Sequence, residues 1–272
     1  MKILPWLRFF RVVNLPTVPG DVLVGASVVA ALSARATGMS RPLCDAAGGT
    51  LLGLMLCAAC LVSVFMYMFG LAQNDILGAK IDVGRPIPEG QISLARAKSA
   101  CAVCWFFAGL VSLCPHGQLP FAVFAYVLVM TGLITAYNVT KSPLLMGLCR
   151  GVNVLLGAAV ALTSFHATGM SRPLCEAAGM SHPLLVAVGV AALWTVYIWA
   201  VTKYSEGEES DPAKKQCVGF LIGALIYLQL LVLLLAYLYT PNALTRRTLL
   251  AGAAMLILLR FLKRVLPKVS AS

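Results

Sequence analysis

The sequence predicts an all-α fold, a polytopic transmembrane bundle of about eight helices forming one integral-membrane unit over residues 1–272. Composition is the first of three observations behind this. Of 272 residues, 60% are hydrophobic and 11% are charged, with a mean hydropathy of +0.89. A soluble domain carries roughly a quarter charged residues, and so much apolar side chain excludes a disordered chain. The second is run length. Residues 46–74, 99–140, 151–171, 177–202 and 216–245 contain no Asp, Glu, Lys or Arg, and a bilayer-spanning helix needs about 20 such residues. The third is charge asymmetry between alternate loops, which is what a chain threaded repeatedly through a membrane shows.

Backbone amides and carbonyls in hydrocarbon must bond within the chain, so runs of this length are helices. They are expected at 12–34, 50–73, 98–114, 120–138, 145–165, 184–202 and 217–239. The third ends at the breaker cluster Pro115-His116-Gly117. An eighth, 248–259, has only 12 uncharged residues and spans only with Arg247, Arg260 and Lys263 snorkelling to the headgroups. Lys2, Arg8 and Arg11 before an apolar run have the outline of a signal peptide. Pro16 and Pro19 interrupt that run, and the further hydrophobic segments make it a first membrane helix. With the N-terminus inside, the inner loops hold 16 Lys and Arg and the outer loops 5. The expected location is a bacterial inner (plasma) membrane, with the N-terminus and polar loops cytoplasmic. The net charge of +11 then reflects topology and anionic lipid, not a nucleic-acid footprint.

Residues 36–48 and 167–179 are identical at 12 of 13 positions, with a shorter echo at 179–184. Their flanking helices share no such identity, so a copied segment is expected, and no chemistry is assigned to it. Of nine cysteines, the pairs Cys57/Cys60 and Cys101/Cys104 have zinc-like spacing. Both lie among apolar residues within expected helices, where cysteine acts as a small packing residue.

Chemistry is concentrated in three inner loops. The first, 74–93, carries Asn74, Asp75, Lys80, Asp82 and then Arg85-Pro86-Ile87-Pro88. Asp75 and Asp82 are seven apart, two turns on one face if the helix continues. Such carboxylates and amides are hard oxygen ligands suited to Mg²⁺. The second loop supplies Tyr137 and Lys141, one turn apart, followed by Arg150 and Asn153. The third, 203–211, holds Glu206, Glu208, Glu209 and Asp211. It is expected to face the first as an acidic partner.

These loops resemble the UbiA superfamily of intramembrane prenyltransferases. Asn74, Asp75 and Asp82 fall in the register of its N-D-x-x-D-x-x-x-D motif, Arg85 to Gly90 read R-P-I-P-E-G, and Tyr137 and Lys141 match its Y-x-x-x-K. The stretch from Leu145 through Arg150 to Asn153 and the lead-in from Asn14 to Asp21 are also similar to the family. The resemblance covers about residues 8–215. Gly78 stands where the family has its middle Asp, the link from Asp82 to Arg85 is short, and no second D-x-x-x-D follows the sixth helix. The family usually has nine helices, so a shortened C-terminal end is expected.

The resemblance implies transfer of a prenyl group from an allylic prenyl diphosphate to an aromatic or lipid-like acceptor. Mg²⁺ would be held by Asn74, Asp75, Asp82, Glu206 and Glu209. Asp75, Asp82 and Lys141 would form the catalytic set, and Asn74, Arg85, Tyr137, Lys141, Arg150 and Asn153 would bind substrate. Phe65, Phe69 or Tyr197 are candidates to face the allylic cation, although Phe65 and Phe69 have the spacing of ordinary packing. The alternative is a non-catalytic member that binds or moves a lipid-linked precursor, which the missing carboxylates favour. CDP-alcohol phosphotransferases are represented only by the fragment Asp75-x-x-Gly78-Ala79-Lys80, and nothing in the loops specifies a channel or transporter.

Overall fold

The computed structural model describes residues 3–36, 46–80, 82, 84–113, 119–167, 181–207 and 211–266. Both copies of the repeated peptide fall largely outside these, as do Cys44, Cys175 and the 115–117 breaker. Among the described residues there are nine α-helices and no strand: α1 Leu4–Phe9, α2 Thr17–Ala36, α3 Ala46–Leu77, α4 Leu94–Ser112, α5 Leu119–Thr140, α6 Pro143–Ala167, α7 Ser181–Ser205, α8 Pro212–Tyr239 and α9 Ala243–Val265. Seven, α2 to α8, are long and apolar enough to cross a bilayer, and the chain is an integral membrane protein.

The first long helix occupies the centre. α2 packs against α3, α6, α7, α8 and α9, and Val18, Val22, Val24, Ala26, Val29 and Ala30 are fully buried. Without a solvent-driven hydrophobic force between helices in lipid, close backbone approach through small residues supplies the packing. Gly25 and Gly157 provide it. A Cβ on Gly25 would run into the carbonyl oxygen of Val154, and one on Gly157 into that of Val22. A stretch with the outline of a signal peptide is thus the axis of the bundle.

The helix ends explain where expected and observed boundaries differ. Ser93 caps α4, accepting from the Arg96 amide at 3.4 Å, so the helix starts at Leu94, four residues before its expected start at 98. Asp211 caps α8, its Oδ1 accepting from the amides of Ala213 and Lys214 at 2.9 and 3.2 Å. α9 begins in a capping box between Asn242 and Thr245 and runs for 23 residues, about twice its uncharged core. Leu244, Thr245, Thr248, Gly252 and Leu259 form its buried face, and Arg260 reaches the Tyr227 hydroxyl on α8. This eighth long helix is amphipathic and is not one of the seven apolar helices.

Candidate functional site

The N-terminus, the α3–α4 connection and the α5–α6 turn meet at one end of the bundle. α1 is short, and Phe9 is buried with Ala72, Ile92 and Ala97. Arg8 donates from its guanidinium to the Gly84 carbonyl at 2.9 Å and approaches Glu89 at 3.4 Å. These contacts hold the 84–92 turn, whose Pro86 carbonyl accepts from the amides of Gln91 and Ile92. Arg85 is thereby fixed beside the end of α3. Its guanidinium lies 3.5 Å from Asp75 Oδ1, and that of Arg11 approaches the same oxygen at 3.5 Å. The Asp75 side chain is only 1% exposed, whereas those of Arg11 and Arg85 are 22% and 31% exposed.

Lys141 explains the Tyr137-x-x-x-Lys141 spacing. It terminates α5 in the left-handed region, φ 54°, with its amide donating to the Tyr137 carbonyl at 2.7 Å. Its ammonium donates to Asn74 Oδ1 and lies 5.9 Å from the centre of the Tyr137 ring. Arg11 is also left-handed, φ 42°, where α1 turns toward α2. These are the non-glycine residues with positive φ among those described. Each such residue costs about 1–2 kcal/mol, and strain of this kind gathers at functional sites. Both positions carry a cation to the same mouth. Burial, Arg11 and Arg85 hold the Lys141 ammonium below the usual lysine range, with Asp82 and Asp75 pulling the other way.

Asp82 reaches this cluster by a route that the seven-residue spacing did not suggest. α3 stops at Leu77, so Asp75 and Asp82 do not share a helical face. The Asp82 amide donates to the Gly78 carbonyl at 2.9 Å, and its carboxylate fills the space that a Cβ on residue 78 would need. Glycine at 78 is what lets Asp82 fold back.

Behind the mouth lies a cleft of about 640 Å³, open end included, between α3, α5 and α6. Arg11, Asn74, Tyr137 and Arg150 line its polar end, while Met66, Leu71, Met130, Ile134 and Met146 give apolar walls. Tyr67 also lines it, whereas Phe65 stacks on Phe107 with centroids 5.7 Å apart, Phe69 is core, and Tyr197 donates to the Leu221 carbonyl at 2.7 Å. The packing reading holds for Phe65 and Phe69, and Tyr197 is turned to a backbone carbonyl of α8 instead of the cleft. The packing reading also holds for Cys104, which is core, and for Cys60 and Cys101, which pack against that core, while Cys57 is exposed on α3.

Arg150 and Asn153 border the cleft from a second polar node, enclosed in the bundle. Arg150 Nε lies 2.8 Å from Asp21 Oδ2, and its terminal nitrogen donates to Asp21 Oδ1 at 3.2 Å and to the Thr17 carbonyl at 2.9 Å. Trp194 Nε1 and Gln229 Nε2 donate to Asp21 Oδ1 at 2.9 and 2.7 Å. Asn153 Oδ1 accepts from Ser63 at 3.0 Å and from the Tyr126 hydroxyl. The positive charge that the sequence assigned to an incoming anion at Arg150 is therefore balanced by Asp21. Asp21, Trp194, Gln229 and Arg11 were not among the expected site residues. Asp21 and Gln229 had a usable signal, because polar side chains deep in a membrane span mark functional or partnered positions.

The donor set does not fit a magnesium cage. Among the described residues no three His, Cys, Asp or Glu side chains are grouped to hold a metal. The Asp75 oxygen sits between two guanidiniums, and Asn74 Oδ1 already accepts from Lys141. Glu206 does not join them. Its carboxylate pairs with Lys203 at 2.8 Å, and its carbonyl accepts from Lys214. Glu209 lies outside the described residues, and Asp211 is committed to its helix cap. A divalent ion would also have to settle among Arg11, Arg85 and Lys141, three cations whose repulsion is felt most strongly away from bulk water.

Comparison with known proteins bears on the fold. No protein-family model and no curated protein sequence matches the chain. A solved structure of a digeranylgeranylglyceryl phosphate synthase, a membrane prenyltransferase of the UbiA superfamily, is similar over 98% of this chain and 91% of its own, with a TM-score of 0.51 and 18% identity. At that identity the likeness shows the helical architecture.

Proposed function

We propose that the protein binds an allylic prenyl diphosphate, with its tail in the cleft and its anionic head at the mouth, and transfers the prenyl group to a lipid-like or aromatic acceptor. One observation carries this reading: an apolar cleft within a membrane bundle ends at Arg11, with Arg85 beside it on the shared Asp75 and Lys141 on the cleft-lining Asn74. That shape selects a ligand with a compact negative head and a long hydrocarbon tail. The fold is that of a prenyltransferase, and the neighbour's name supplies a geranylgeranyl chain as the first tail to try.

In the transfer, the bond between the allylic carbon and the diphosphate oxygen breaks and the diphosphate leaves with the electron pair. An acceptor nucleophile bonds to that carbon and loses its proton. Arg11, Arg85 and Lys141 would stabilise the negative charge growing on the departing oxygen, and preorganised charges aimed at developing charge do this without rearrangement. Asn74 and Tyr137 position Lys141, while Met66, Met130 and Ile134 keep water from the cation left behind. With the charge-bearing loops on the cytoplasmic side, the head is delivered from that side.

The test is reconstitution of the full chain in vesicles with radiolabelled geranylgeranyl diphosphate and a total lipid extract as acceptor. Label appearing in a new diphosphate-free lipid, and lost with Lys141→Met, supports the enzyme. A second reading, a non-catalytic binder, is favoured by Gly78, which carries no carboxylate where the resemblance places one, and by the absence of a second D-x-x-x-D. Saturable binding with no labelled product supports that reading instead.

A further inference from the structure

Resting on the reading that the ligand is a prenyl diphosphate, we propose that Arg11, Arg85 and Lys141 contact its diphosphate directly, with no divalent cation between protein and phosphate. Three independent features of the mouth converge on this. The first is occupancy of the oxygens: Asp75, almost wholly buried, turns one carboxylate oxygen to two guanidiniums 3.5 Å away, and Asn74 offers its oxygen to the Lys141 ammonium. These acceptors orient cations, which is the opposite of what a metal cage requires of them.

The second is backbone. Arg11 and Lys141 reach the mouth from left-handed conformations. They come from different segments, and a strained conformation persists only where the surroundings hold it. The third is Gly78. Residue 78 supplies no carboxylate, and the Asp82 carboxylate that folds over it lies within the field of Lys141, so it too is turned to a cation of the mouth. What remains is a set of cations at the mouth, Arg11 on the lining of the cleft and Arg85 and Lys141 beside it, held by the buried Asp75 and the half-buried Asn74. Guanidinium groups recognise phosphate oxygens through paired, charge-assisted hydrogen bonds. A diphosphate arriving at Arg11 and Arg85 meets that chemistry without an intermediary.

The experiment measures binding of geranylgeranyl diphosphate, and of geranylgeraniol as the headless control, to the full chain in nanodiscs, in buffer with EDTA and in buffer with magnesium. The expected result is diphosphate affinity in EDTA within about threefold of that in magnesium. Arg11→Gln and Arg85→Gln should each weaken it about tenfold in EDTA, the scale of one lost charge-assisted contact, and leave geranylgeraniol binding in place. Diphosphate binding abolished by EDTA and restored by magnesium overturns the inference and leaves the prenyl-diphosphate reading standing. Absence of saturable diphosphate binding in both buffers overturns that reading and the inference with it. Equal loss of diphosphate and alcohol binding in the arginine variants overturns the inference, since the arginines then shape the cleft and not its head site. The chelation arm needs no substitution, so it decides even where a variant fails to fold.

Discussion

Two carboxylates on neighbouring helices meet arginine in opposite ways. Asp21 is wholly enclosed, and its partners Arg150, Trp194 and Gln229 are enclosed with it. The charges of Asp21 and Arg150 face each other inside that node, and Trp194 and Gln229 donate to the same carboxylate. Asp75 is nearly as buried, but its partners Arg11 and Arg85 remain partly exposed, and Lys141 beside them is exposed. The first arrangement closes on itself and fastens helices together. The second holds partly exposed cations on one buried acid at the mouth, with Arg11 on the lining of the cleft. Burial of an acid alone does not separate the two roles; the exposure of its partners does.

Breaking the closed node should have the largest effect. Asp21→Ala leaves Arg150 buried without its counter-charge, a loss of about 3–5 kcal/mol, read as a large drop in unfolding midpoint in detergent. Next comes the α2–α6 seam. Gly157→Leu forces a side chain against the Val22 carbonyl and should cost about 3 kcal/mol, measured in the same assay, whereas Leu at Gly109, where a Cβ would meet nothing, should cost far less. Asp75→Ala removes the acid from the open cluster, whose arginines can turn to solvent, so its stability cost should stay near 1 kcal/mol. A cost equal to that of Asp21→Ala would erase the contrast between the nodes.

The smallest expected effect is a shift in pH. Partial desolvation of its ammonium lowers the Lys141 pKa in the folded protein below its unfolded value of 10.5. Diphosphate binding that uses its ammonium is complete below the folded value and declines as pH rises through it, earlier than an ordinary lysine would dictate. The unfolded chain holds more protons between the two values, so this residue's contribution to stability rises with pH across that window. Lys141→Arg keeps its charge and should move the decline in affinity to higher pH, checked by binding titrations over the alkaline range.

The helices were legible because lipid leaves the chain few choices, and most of the mouth was legible because Asn74, Asp75, Tyr137 and Lys141 lie at helix ends beside apolar runs. The Tyr137–Lys141 spacing did describe one helical turn. The Asp75–Asp82 spacing did not, because Gly78 follows the last helical residue and lets the chain fold back. Arg11 was counted only as a topology charge, since nothing local distinguishes a cation that anchors a loop from one that faces a site. The closed node was hidden by distance along the chain. A search for uncharged runs passes over Gln229 and gives a lone Asp21 no partner. Only the packing of α2 against α6, α7 and α8 brings them together.

The position of α2 also has a consequence for how the protein is made. Asp21 emerges in the first membrane helix, but Arg150, Trp194 and Gln229 follow 129, 173 and 208 residues later. Synthesis proceeds from the N-terminus at a finite pace, so this acid must wait through most of translation before its companions arrive. Until then its carboxyl group has none of the side-chain donors that hold it in the finished bundle. The axle of the assembly is thus the earliest part to be laid down and among the last to be secured.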